Sequence, residues 1–187
     1  NSMFADKDDI ELMPDHFEKL DFELEFAAII GKKGKNILSK NADKYIAGFC
    51  ILNDISARTL QSEEMKLNLG PAKGKDFATV IGPYLVTTDE LKHKEIKTPF
   101  GKKFDLAMRC YVYGDLISSG NTKELSWTFA EIIERASYGV ELVPGDIIGS
   151  GTVGGGCFLE INGTKKRADK NYIDRWLKEG DIIKMEI

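Results

Sequence analysis

The run DFELEFAAII, Asp21 to Ile30, admits little besides a β-strand, because its large apolar residues recur at every second position. Phe22, Leu24, Phe26, Ala28 and Ile30 share one face, which reads as core. Asp21, Glu23, Glu25, Ala27 and Ile29 share the other, which begins acidic and turns apolar. A strand face that only meets water stays polar along its length. The change of character calls for a strand covered on both sides at one end. At the other end, Glu23 and Glu25 are either solvated or turned toward a cation.

The rest of the chain is mostly short apolar runs separated by turn residues. FCILND, FDLAMRCYVYGD, DIIGSGT, CFLEIN and EGDIIKMEI read as strands. Between them lie the basic turn GKKGKN, the long ordered loop LNLGPAKGKDFAT, the turn-rich surface segment SSGNTKE and a hairpin turn at Asn162-Gly163. Ser39 is placed to cap a short helix in SKNADK. In SWTFAEIIERAS the period changes: Thr128 and Glu131 are spaced as a capping box, and Phe129, Ile132, Ile133 and Ala136 recur at helical spacing. Strands outnumber helices, without βαβ alternation or repeats. The expected class is α+β, mostly β, with a mainly antiparallel or mixed sheet and one or two short helices.

A chain of 187 residues is long enough for one domain with a sizeable core. Residues 1–20 read as a lead-in, the remnant of a longer N-terminal part. Residues 21–187 read as the folded unit, cut at its C-terminal end because IIKMEI stops within an apolar alternation. A net charge of -4 with dispersed lysines and arginines offers no basic stripe for nucleic acid or anionic membrane. No apolar run is long enough to span a bilayer, and the first residues lack the regions of a signal peptide. Cys50, Cys110 and Cys157 are odd in number and far apart, which fits reduced thiols in a cytoplasmic protein rather than a disulfide framework or zinc site.

Several motifs fail their own requirements. GSGTVG satisfies G-x-G-x-x-G, but CFLEIN behind it reads as strand where a dinucleotide fingerprint needs a helix. GPAKGK lacks the spacing and hydroxyl of a P-loop. Asn162-Gly163-Thr164 fits a glycosylation sequon and fits the hairpin turn better.

Two carboxylates on one strand, Glu23 and Glu25, suit a hard divalent cation if a third oxygen ligand joins them. Asp54, at the end of FCILND, is a candidate; a turn or cap role is its ordinary alternative. Arg58, Gln61, Lys75 and Thr79 each have a surface explanation when taken singly. Their order is more informative. The series KLDFELEFAAIIG, GFCILNDISARTLQ, GPAKGKDFATVIGPYLV, WTFAEII, LVPGDIIGSGT and WLKEGDIIKMEI resembles the fumarylacetoacetate hydrolase family from Lys19 to Ile187. Within that family, GSGTVGGGCFLE is more similar to the fumarylacetoacetase branch than to the shorter acylpyruvate hydrolase branch.

The resemblance implies a mixed β-sandwich roll that usually dimerises, in which Glu23, Glu25 and Asp54 coordinate Mg²⁺, or Ca²⁺ or Mn²⁺ in its place. It implies that Lys75 and Thr79 line the metal and substrate pocket, that Arg58 and Gln61 lie near substrate oxygens, and that Thr152 contacts substrate. Glu160 matches a glutamate that orients a catalytic histidine, and with Lys75 and Arg58 it makes up the implied catalytic set. The implied reaction is hydrolysis of a carbon-carbon bond in a small β-diketone acid. Neither His16 nor His93 matches the family's base, a further aspartate ligand has no counterpart, and Met65 stands where the fumarylacetoacetase branch has a tyrosine. Other reactions of the family, from oxaloacetate decarboxylation to hydratase or isomerase steps, would reuse the same carboxylates. A non-catalytic β domain is the alternative of a different class.

Overall fold

The period-two stretch lies at the centre of the molecule, but not as one unbroken strand. In the computed structural model, which describes residues 2–187, β1 (Leu20–Asp21) pairs with the short strand Ser56–Ala57, and β2 (Leu24–Ile30) belongs to the main sheet. Phe22 and Glu23 leave the ladder between them. The Phe22 amide donates to Asp21 Oδ1 (2.9 Å) and the Glu23 amide to Asn53 Oδ1 (3.0 Å), so side-chain acceptors replace ladder partners. Glu25 therefore stands on a strand and Glu23 in the break before it, which corrects the expectation of one continuous strand.

The remaining principal strands are β3 (Ile46–Asp54), β4 (Thr79–Ile81), β5 (Ala107–Val112), β6 (Asp115–Asn121), β7 (Ile147–Thr152) and β8 (Ile183–Glu186). The main sheet runs Met3–Phe4, β4, β3, β2, β7, with Val86–Thr87 also on β3; the Met3–Phe4 pairing is parallel and the others antiparallel. A second, antiparallel sheet runs β6, β5, β8. The fold is mostly β with a mixed main sheet, as expected.

The core fills the space between the sheets. Leu24, Phe26 and Ala28 of β2 pack with Met108, Cys110 and Val112 of β5 in one buried cluster. Phe26 and Phe49 stack at 4.6 Å, and Phe104 lies edge-on to Phe49 at 5.1 Å, an arrangement that suits the aromatic quadrupole. The opposite face of β2 is apolar too: Ala27 packs with Cys50 and Leu52, flanked by Ile29, Ile81 and Ile147.

The helices are α1 (Ser39–Ala42), α2 (Arg58–Glu64), α3 (Phe129–Ala136) and α4 (Phe158–Ala168). The capping box of α3 forms as the spacing predicts: Thr128 Oγ1 accepts the Glu131 amide (3.2 Å) and Glu131 Oε2 accepts the Thr128 amide (2.9 Å). Such a cap stabilises by about 1 kcal/mol. Ser39 does not cap α1. It occupies the first helical position behind Leu38, and its amide donates to Glu134 Oε2 at 2.7 Å.

CFLEIN forms the start of α4, not a strand, and Asn162-Gly163 lies inside that helix, not in a hairpin turn. Phe158 and Asn162, four residues apart, are buried on one face, a helical spacing that the six-residue alternation concealed. Basic residues Lys165, Lys166 and Arg167 complement the C-terminal end of the helix dipole. A helix thus does follow GSGTVG, but no dinucleotide site results. β7 runs antiparallel to β2, and the first amides of α4 are taken by the Asp21 carboxylate where a pyrophosphate would sit. SSGNTKE is also corrected: Ser118 to Asn121 belong to β6, which follows β5 through the two-residue turn Tyr113-Gly114 with φ of 52° and 84°. Among the described residues, no helix is long and apolar enough to cross a membrane.

Candidate active site

The register of the main sheet assembles the carboxylates. Glu25 on β2 lies opposite Leu52 of β3 on one side and Thr152 of β7 on the other. Asp54 ends β3 opposite Thr79 of β4. Glu23, released from the ladder, turns toward both. One oxygen from each of Glu23, Glu25 and Asp54 lies within 4.8 Å of the others, a donor set able to hold a metal ion. Two glycines of β7 make room: the Gly151 amide donates to Glu25 Oε2 at 3.1 Å, and a Cβ at Gly149 would collide with that same oxygen.

Two cations thread the cluster. Lys75 Nζ lies 2.7 Å from Glu23 Oε1 and 2.9 Å from Asp54 Oδ2. Arg58, buried at the start of α2, donates from Nε to Asp21 Oδ2 (2.8 Å) and from Nη1 to Glu23 Oε1 and Gln61 Oε1 (both 2.9 Å). Four carboxylates, Asp21, Glu23, Glu25 and Asp54, meet two cations, so full ionisation leaves two negative charges in a largely buried space.

The proton affinities follow from that imbalance. Burial, together with the hydrogen bond and charge of Glu23 and the charge of Asp54, pushes the Glu25 carboxyl up to about 8. Burial also raises Asp54, against the pull of Lys75. Glu23 is buried as well, but Lys75 and then Arg58 outweigh the desolvation and hold it below the usual carboxylate range. Without a further positive charge, the Glu25 carboxyl is the one of the cluster that holds its proton most tightly.

Of the residues read from the sequence, Glu23, Glu25, Asp54, Lys75, Arg58 and Gln61 come together directly. Thr79 stands beside Asp54 in the ladder, its amide donating to the Ser2 carbonyl at 2.8 Å. Thr152 stands beside Glu25, with Oγ1 3.4 Å from Glu160 Oε1. Glu160, in the first turn of α4, accepts the Gly155 amide at 2.5 Å and so braces the glycine-rich bend. His16 stacks on Phe77 with ring centroids 4.1 Å apart, and its Nδ1 accepts the Met13 amide. His93 is exposed, with Nδ1 3.0 Å from the Glu90 carbonyl oxygen. Met65, at the end of α2, is exposed. Sequence reasoning missed Asp21, seen only as one more polar residue on the strand. No spacing in the sequence links it to α4, whose first amides it accepts from 137 and 138 residues away.

The family model for the C-terminal domain of fumarylacetoacetate (FAA) hydrolase matches residues 1–187. Fumarylacetoacetase of Oryza sativa subsp. japonica is 33% identical over 197 residues, covering 89% of this chain and 46% of that protein. The mitochondrial oxaloacetate tautomerase of Rattus norvegicus is 35% identical over 179 residues, covering 94% of this chain and 50% of that protein. A fumarylacetoacetate hydrolase from psychrophilic Exiguobacterium antarcticum superposes with a TM-score of 0.76 at 28% identity, covering 99% of this chain and 58% of the other. The chain thus spans about half the length of these curated relatives.

Proposed function

Because the chain belongs to the fumarylacetoacetate hydrolase family, we propose that it carries the metal-dependent centre of an enzyme that hydrolyses the carbon-carbon bond of a β-diketone acid. Fumarylacetoacetate, split to fumarate and acetoacetate, is the proposed substrate. The observation that carries the reading is the convergence of Glu23, Glu25 and Asp54 within 4.8 Å in a cluster with two more carboxylates than cations. That donor set, all oxygen and doubly negative, fits a hard divalent ion, Mg²⁺ first and Mn²⁺ or Ca²⁺ in its place.

When bound, such an ion supplies a Lewis acid for the two oxygens of a 1,3-dicarbonyl, worth roughly several kcal/mol of charge stabilisation. The side chains around it have distinct tasks. Lys75 and Arg58 are fixed positive donors for oxyanions that develop as the bond breaks. Gln61, held by Arg58, and Thr152 orient substrate oxygens; Thr79, beside Asp54 on the neighbouring strand, lines the metal pocket with Lys75. Glu160, which already accepts the Gly155 amide, is suited to orient a basic group.

A second reading uses the same centre. Relatives of comparable identity are oxaloacetate tautomerases, and keto-enol exchange needs the same stabilised enolate without cleavage. A homodimer is proposed as well, supported by the apolar outer face of Ile29, Ile81 and Ile147 on the main sheet. The three buried free thiols fit a reducing compartment, for which we propose the cytoplasm.

The test is metal binding followed by turnover. Mn²⁺ added to EDTA-stripped protein raises the thermal unfolding midpoint, and Glu25→Gln abolishes the rise. An equal rise in the variant overturns the assignment. With metal restored, loss of the conjugated dicarbonyl absorbance of fumarylacetoacetate identifies the hydrolase; enol-keto equilibration of oxaloacetate without bond cleavage identifies the tautomerase.

A further inference from the structure

Lys75 pairs with two of the three candidate ligands, yet it stands on a loop rather than on the sheet. An ammonium on a flexible aliphatic stem keeps one position only if the backbone beneath it is held. The holding group is Glu64, the last residue of α2. Its Oε2 accepts the amides of Ala72 (2.8 Å) and Gly74 (3.1 Å), and its Oε1 accepts the amide of Lys73 (2.6 Å). Three successive amides thus converge on one carboxylate, as a nest of backbone N–H groups converges on an anion. Those amides, Ala72's first and then Gly74's, hold the Glu64 carboxyl below the usual carboxylate range. Ala72 and Lys73 are exposed, so water would take their amides if Glu64 did not.

The turn is fixed from its other side as well. The Gly74 carbonyl accepts the Ala57 amide at 3.0 Å, and the Ala72 carbonyl accepts the amides of Lys75 (3.0 Å) and Asp76 (2.9 Å). A Cβ on Gly74 would stand 2.6 Å from the Gln61 backbone nitrogen, so the turn lies directly on α2 and needs glycine to do so. Lys75 follows at once, with Nζ 2.7 Å from Glu23 Oε1 and 2.9 Å from Asp54 Oδ2. Between Glu64 and Ala72 the chain packs little. Met65, Leu67 and Leu69 are exposed, so the Glu64 clasp, not burial of the loop, sets where the turn begins.

We propose that Glu64 is a positioning residue: it clasps the 72–74 turn to the end of α2 and thereby places the Lys75 ammonium between Glu23 and Asp54. It touches no ion or substrate in this role and acts through the backbone that carries Lys75. The use of a fixed ammonium there rests on the metal-dependent reading above, in which Lys75 meets oxyanions that develop on the substrate. A donor held in place beforehand costs no reorganisation as the reaction proceeds.

The experiment is trace acylation of the full chain in EDTA with acetic anhydride, read lysine by lysine by mass spectrometry, beside hydrogen exchange of the 72–74 amides and thermal unfolding. Lys166 of α4, ion-paired with Asp174 at 2.8 Å, is the internal reference. In the wild type the three amides are protected and Lys75 reacts slowly. In Glu64→Ala the amides exchange freely and the Lys75 rate rises about 10-fold relative to Lys166, the change that follows loss of one charge-assisted hydrogen bond. Gly74→Ala, which pushes the same turn off α2 while Glu64 keeps its charge, gives the same release. A purely structural role lowers the unfolding midpoint and leaves the ratio of Lys75 to Lys166 unchanged. An unchanged ratio in either variant, or unprotected amides in the wild type, overturns the proposal. Should Glu64→Ala not fold, Glu64→Gln, with one acceptor oxygen for three amides, is read in the same way. A Mn²⁺ titration of the EDTA-stripped wild type separates the two readings. If no Mn²⁺ is bound while Glu64→Ala still releases Lys75, the metal-dependent reading falls and the clasp stands; if Mn²⁺ is bound and Lys75 ignores Glu64, only the clasp falls.

Discussion

Gly149→Ala separates the site from the fold more cleanly than removal of a ligand. The backbone of Gly149 lies in β7 and is not left-handed, so alanine is conformationally acceptable there. Its methyl group, however, would collide with Glu25 Oε2, which the Gly151 amide holds at 3.1 Å. The carboxylate has to retreat. A hydrogen bond to a charged group contributes about 1.5–3 kcal/mol, which converts to roughly 10- to 100-fold in affinity for an ion that depends on that oxygen's position. Replacing glycine by alanine at a tolerant backbone position meanwhile stabilises by about 0.4–1 kcal/mol, so metal-free stability changes little. The assay is the Mn²⁺ titration beside thermal unfolding in EDTA. Gly154→Ala is the control, because a Cβ there meets nothing within 4 Å. Wild-type Mn²⁺ affinity in Gly149→Ala, with an unchanged metal-free midpoint, would refute the placement of Glu25 as a ligand.

Two further outcomes concern stability. Gly163 lies inside α4 with open space where a methyl group would stand, so Gly163→Ala raises stability by about 0.8–1 kcal/mol and the unfolding midpoint by roughly 2–4 °C; a lower midpoint counts against the helix. Burial, aided by the charge of Asp21, pushes the Cys110 thiol up to about 12 from an ordinary 9.0, so between those values the unfolded chain sheds a proton that the folded chain keeps. This contribution is intact below about pH 9 and is lost as pH rises toward 12. Denaturant titrations from pH 8 to 11 check the sign, and a thiol reagent at pH 8 reacts with the protein only as it unfolds.

Much of the site was legible because it depends on local order. Period two places Glu25 beside the core face, and the end of an apolar run places Asp54 at a strand terminus. Thr128 and Glu131 are read correctly because a capping box lies within one turn. What was not legible depends on distant partners. Asp21 binds Arg58, 37 residues away, and the Phe158 amide, 137 residues away, and no spacing rule reaches that far. The break at Glu23 depends on the side chain of Asn53, 30 residues on. α4 was hidden because CFLEIN alternates over six residues as a strand does, whereas its buried pair, Phe158 and Asn162, needs the longer helical period.

The position of Asn162 also bears on how the molecule ages. An asparagine followed by glycine is prone to deamidate when the next backbone nitrogen can attack the side-chain amide. Here the Asn162 side chain is held on both sides of its amide: its Nδ2 donates to the Arg175 carbonyl at 2.8 Å, and its Oδ1 accepts the Arg175 amide at 3.1 Å and the Tyr172 hydroxyl at 3.4 Å. The helix around Gly163 holds the attacking nitrogen out of line. A bond that would otherwise limit storage life is protected for as long as α4 stays wound.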